Sequence, residues 1–169
     1  FDIDGTDAAH KLVILASLAF GIPLGIDAPM KQGIQEVAPE DLECAASMGY
    51  RVKHLGIARR TEQGIEMRVH PTLIPERKQI ATVDGVLNAV MIFGDAVGEL
   101  VLVGPGAGGT ATASSVCADL LDVARNPAGS GPALGIAVEA LQSPTWVPAE
   151  DIASEWYVRV TATDQSGVI

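Results

Sequence analysis

The 169-residue chain has few aromatic side chains, 4% of the total, so its core must be aliphatic, built from Val, Ile, Leu and Ala. Two cysteines, Cys44 and Cys117, are too few for a disulfide framework. Both sit in apolar, helix-like stretches and read as reduced, buried thiols of a cytoplasmic protein. The three histidines, His10, His54 and His70, are scattered, and with two cysteines they do not make the tight cluster a metal site needs, so no metal is expected. Basic residues are outnumbered 11 to 21 by acids, and the net charge of -10 argues against nucleic acid or an anionic membrane surface as the main partner. The longest apolar run, Leu12 to Ile26, falls about one turn short of a membrane span and is broken by Gly21-Ile22-Pro23. It also lacks the basic leader and cleavage site of a signal peptide.

What the chain does have is 48% hydrophobic residues, enough for a full core in one domain or one and a half. Asp7 to Phe20 reads as a helix that Thr6 can cap and that Gly21 and Pro23 end. Pro39 to Met48 is a second helix, with Pro and acids in its first turn and Gly49 after it. Arg51 to Ala58 and Ile65 to Val69 read as the strands of a hairpin, the second ended by His70-Pro71. Val83 to Phe93 and Glu99 to Val103 are two further strands, and Thr110 to Ala124 is a third helix. Asn126 to Pro132 is a Pro/Gly-rich linker. The fold class is α+β, a mixed or antiparallel sheet covered by helices on one face. Both ends read as cut: Phe1-Asp2 enters the first motif without a lead-in, and the strand expected from Trp156 stops at Ile169.

The first helix raises a question of chemistry. On a helical wheel of 100° per residue, Lys11 lies about 40° from Asp7, beside Ile14, Leu15 and Leu18. The other faces are apolar too, so the helix is expected to be buried nearly all round. A lysine there must be paired, lose its proton or reach a wet cavity. Asp7, at i-4, is its natural partner, and Asp2 and Asp4 lie just upstream on the loop containing Gly5. Two readings follow: a solvated surface pair, or an active-site lysine tuned by burial and Asp7. His10, on the other side of Asp7, reads as a packing or capping residue.

Gly104-Pro105-Gly106-Ala107-Gly108-Gly109 matches G-x-G-x-x-G between a strand and a helix. No second βα unit follows it, so a simple dinucleotide fold is not completed. The loop is either a site of close backbone approach to a ligand or a tight turn packed on another domain.

Asp2-Ile3-Asp4-Gly5-Thr6-Asp7-Ala8-Ala9-His10-Lys11 resembles the signature of the homoserine dehydrogenase family at every fixed position. Met48 to Lys53, Arg68 to Pro75, Gly85 to Val90 and GPGAGGTATASSV are similar to later segments of that family, so the resemblance covers almost the whole chain. It departs in having Ala111-Thr112 where many relatives have Pro-Thr. The resemblance implies a catalytic Lys11 that donates a proton, oriented by Asp7, with Asp2, Asp7 and Lys11 binding substrate and Gly106, Ala107 and Gly108 beside the cofactor. The reaction implied is NAD- or NADP-dependent interconversion of L-homoserine and L-aspartate 4-semialdehyde, within threonine, methionine and isoleucine biosynthesis. The implied partners are a small amino-acid substrate and further copies of the chain, as a homodimer or homotetramer.

The same resemblance implies a division into a substrate-binding and dimerisation domain over residues 1–125, a linker and return segment over 126–154, and the first strand of an ACT-like regulatory domain over 155–169. The family's Rossmann domain, with its lysine, and the glutamate upstream of the signature are not in these residues, so the isolated chain is expected to be inactive. The alternatives are a related amino-acid dehydrogenase or reductase, or a non-catalytic dimerisation module.

Overall fold

A computed structural model describes residues 1–125 and 137–163. The expected linker at Asn126 to Pro132 and the last six residues lie outside the described residues. In chain order the elements are α1 (Thr6–Phe20), β1 (Met30–Lys31), α2 (Pro39–Ser47), β2 (Tyr50–Thr61), β3 (Gly64–Pro75), β4 (Leu87–Gly94), β5 (Gly98–Pro105) and α3 (Gly109–Arg125). The class is α+β, but the strands form two sheets. One is mixed, ordered β1-β3-β2, with β1 parallel to β3; the other is the antiparallel hairpin β4-β5.

The β2–β3 hairpin turns at Glu62-Gln63, where the Thr61 hydroxyl donates to the Gly64 carbonyl and accepts from the Gln63 amide. Its strands are longer than the sequence suggests. His70-Pro71 does not end β3, which runs on paired to β2 as far as Pro75. The reason lies at the other edge. β1 covers only Arg68 and Val69, and the backbone groups of odd-numbered residues point to that edge, so Pro71 has no ladder partner to deprive.

The core follows from two periodicities. Ala9, Leu12, Val13 and Ala16 make one stripe of α1, and Ile65, Met67 and Val69 make one face of β3; they bury against each other with Ile22. Trp146 closes the end of this core, bridging in parallel to Ile65, whose amide donates to the Thr145 carbonyl. Arg60 stacks over the Phe20 ring at 5.2 Å and donates to the Phe20 carbonyl, satisfying an acceptor at the C-terminus of α1.

Two burial expectations are overturned. α1 is not buried all round: its Ile14, Leu15 and Leu18 are exposed, because only one stripe meets β3. Cys44 and Cys117 are exposed, because α2 buries only Ala45 and α3 buries nothing in this chain. Trp156 to Thr163 hold no helix or strand among the described residues, since an isolated extended segment has no neighbour to complete a ladder.

Past Pro75 the chain is anchored to β2 by Asp84. Its carboxylate accepts from Lys53 at 2.6 Å and Arg51 at 3.0 Å, and these two side chains also donate to the Val83 and Ala81 carbonyls. The hydrogen bond from Lys53, then that from Arg51, holds the Asp84 carboxyl below its ordinary 3.8. A depressed carboxyl stabilises the fold above its unfolded value and ceases to do so as pH falls through the folded one. Asp84→Asn therefore lowers the denaturation midpoint at pH 7, and its deficit against the unaltered chain narrows below about pH 4. Urea titrations at the two pH values check this.

Candidate active site

The first five residues fold back over the start of α1. The Asp7 amide donates to the Phe1 carbonyl, and the Asp4 carboxylate accepts from the Thr6 amide at 2.8 Å. Asp4, not Thr6, thus satisfies a free amide at the helix start, and that bond is the first cause of its lowered carboxyl pKa. Gly5 sits at the N-cap position with φ at 85°, a conformation that favours glycine. A Cβ there would also meet Val69 at 3.1 Å and the His54 ring at 3.3 Å.

A second loop braces the first. The Ile34 amide donates to the Ile3 carbonyl, and a side chain at Gly33 would strike that carbonyl and the Asp4 backbone. The Gln32 amide donates to Val69, and the Gln32 carbonyl lies 3.0 Å from His54 Nε2. Sequence reasoning did not single out His54 for this role; a histidine in a strand leaves no local sign of a loop 22 residues away.

Lys11 Nζ lies 2.6 Å from Asp7 Oδ2, as the i, i+4 spacing predicts, and the pair is open, with side chains 65% and 44% exposed. Asp2 is exposed on the turn just before them. The structure therefore pairs Asp7 with Lys11 on an exposed face at the start of α1, and among the described residues no hydrogen bond or ion pair joins Asp2 to either. Ile14, Leu15 and Leu18 extend that face as an exposed apolar strip.

Gly106, Ala107 and Gly108 link β5 to α3 as expected, but no hydrogen bond or ion pair among the described residues joins them to Lys11. A side chain at Gly106 would displace the Asn88 amide group. Gly108 has φ at 118° and open space beside it. β5 pairs antiparallel with β4, so among the described residues the loop belongs to no parallel βαβ unit. Among the described residues no group of three or more His, Cys, Asp or Glu side chains converges as a metal site, and no helix is long and apolar enough to cross a membrane.

Sequence reasoning also passed over Glu66 and Arg68, which are buried on the face of β3 opposite α1. The alternation in Ile65-Glu66-Met67-Arg68-Val69 carries the signal of two faces, but not that the second is covered.

Residues 1–121 match the model of a family described as homoserine dehydrogenase. The chain is 51% identical to the homoserine dehydrogenase of Pseudomonas aeruginosa, over the whole chain and 40% of that relative. A crystal structure of a homoserine dehydrogenase from Thiobacillus denitrificans superposes with a TM-score of 0.84 at 50% identity, covering 90% of this chain and 36% of that one. A hyperthermophilic archaeal homoserine dehydrogenase mutant in complex with NADPH superposes with a TM-score of 0.55 at 32% identity, covering 73% of this chain and 34% of that one. The chain thus spans about 40% of the length of the curated relatives it matches. It belongs to the homoserine dehydrogenase family.

Proposed function

We propose that this chain is the substrate-binding part of a homoserine dehydrogenase whose parent interconverts L-homoserine and L-aspartate 4-semialdehyde with NAD or NADP, in amino-acid biosynthesis leading to threonine, methionine and isoleucine. The observation that carries the reading is the Asp7–Lys11 pair, 2.6 Å apart on an open face bordered by apolar side chains, within the residues that match the family. A charged pair on an apolar strip suits a site completed by another part of the parent, where closure strengthens its electrostatics.

In this reading the Lys11 ammonium gives a proton to the alkoxide forming on the semialdehyde carbon, and the neutral amine takes it back in homoserine oxidation. Asp7 aims Lys11 through their ion pair. Asp2 pairs with the ammonium of the amino-acid substrate. When bound, the nicotinamide supplies or accepts the hydride. The open backbone beside Gly108 fits the edge of such a cofactor, so Gly106, Ala107 and Gly108 are placed alongside it, while the rest of its site falls to other parts of the parent. Two exposed cysteines outside any disulfide suit a reducing cytoplasm. An ACT-like unit beginning near residue 155 stays part of the proposal.

The test is direct. The full-length parent oxidises L-homoserine with NAD or NADP, while the 169-residue chain alone does not. A parent inactive on homoserine but active on another amino acid overturns the substrate assignment. An assembly role is also favoured, by Ile92, Phe93, Leu102 and Val103, exposed on β4 and β5. Sedimentation of the chain as a dimer supports it, and a monomer removes it.

A further inference from the structure

At the β1–β3 edge of the mixed sheet, beside α2, lies a cavity of about 580 Å³, within the range of small-molecule sites. Its floor carries Arg68 and His70 of β3, and its walls include Asp41 of α2 and the segment 149–157. That segment is tied to α2: the Tyr157 hydroxyl donates to Asp41 at 3.1 Å, and Arg159 pairs with Asp41 at 3.1 Å and Glu40 at 3.7 Å.

Arg68 is poorly compensated. Its side chain is 9% exposed, and neither Nε nor Nη1 has a hydrogen-bond acceptor among the described residues. Its ion pair is a long one, 3.5 Å to Glu66 Oε1, and Arg59 approaches the same oxygen at 3.3 Å. Two guanidiniums facing one carboxylate leave one positive charge in excess, and Arg68 is the member that burial keeps from water. A planar guanidinium with five donors is suited to a carboxylate. Glu36 and Glu155 line the same cavity with negative charge, which disfavours a simple anion and favours a ligand whose other end is cationic.

We propose that this cavity binds a small zwitterionic amino acid, its carboxylate on Arg68 and its ammonium toward Glu36 and Glu155. Asp2, Asp7 and Lys11 are not among its lining residues, so binding here and binding at the catalytic pair give distinguishable shifts. Because segment 149–157 forms part of the wall, occupancy also holds that segment against α2.

The experiment is a titration of the ¹⁵N-labelled chain with L-valine, and separately with butyrate and butylamine, followed by amide chemical shifts. L-valine is expected to give saturable shifts around Arg68, His70 and Glu155 and to bind more tightly than either half-probe. Arg68→Gln weakens it by about tenfold or more. The paired exposed changes Glu36→Gln and Glu155→Gln weaken L-valine and strengthen butyrate, which keeps the test open if Arg68→Gln unfolds. Butyrate binding as tightly as L-valine, shifts confined to Asp2, Asp7 and Lys11, or no saturable shift, overturns the proposal.

Discussion

Lys11→Met in the full-length parent is expected to lower kcat for homoserine oxidation by about 10²- to 10⁴-fold, the usual contribution of a positioned general acid or base. The loss should fall on kcat more than on KM, since the proton moves only as the alkoxide forms or collapses. Stability should scarcely change. The side chain is 65% exposed, and its bond to Asp7 is a surface i, i+4 pair of the kind worth about 0.3–0.5 kcal/mol. Asp7→Asn keeps the shape but removes the charge that aims Lys11, so its deficit in kcat should be smaller. Steady-state kinetics against pH, with circular dichroism as a control for folding, measures both. A Lys11→Met enzyme within a few-fold of normal kcat removes the proton-transfer role. A raised KM at unchanged kcat reassigns Lys11 to substrate binding alone.

That expectation rests on a stretch where sequence and structure agree closely. The helix Asp7 to Phe20 is α1 within one residue, because its ends carry local chemistry: a left-handed Gly5 before it and a left-handed Gly21 after it. The i, i+4 pair was legible for the same reason. The buried side of α1 was not. Its wheel is apolar on several sides, and the choice falls to Ile65, Met67 and Val69, more than 40 residues on. The β2–β3 hairpin was legible, but the length of β3 was not, since Pro71 reads as a stop unless the missing neighbour at its edge is known. The single expected sheet became two because strand pairing is non-local, and no feature of Val83 to Val103 reports which edge it joins. The exposed faces of α1, α3 and the β4–β5 hairpin carry the largest mismatch between hydrophobicity and burial, and a chain spanning about 40% of its relatives' length leaves room for partners to cover them.

Glu66→Ala is expected to be the most destabilising single change in the sheet, at about 3–5 kcal/mol. Glu66 and Arg68 stand on one face of β3 two residues apart, with side chains only 6% and 9% exposed. Removing the carboxylate leaves the Arg68 guanidinium, only 9% exposed, without its ion-pair partner, its Nε and Nη1 already lacking acceptors among the described residues. Such a loss is a large part of the 5–15 kcal/mol that holds a typical domain together. Arg68→Met should cost less, because Glu66 retains Arg59, which reaches water. The double change Glu66→Leu with Arg68→Met should recover most of the loss, since well-packed apolar groups avoid the desolvation both charges suffer. Urea midpoints for Glu66→Leu, Arg68→Met and the double change form a cycle with a coupling of several kcal/mol. Additivity within about 0.5 kcal/mol shows instead that the two side chains do not sense each other, and that water reaching the cavity from the side of segment 149–157 already solvates the guanidinium.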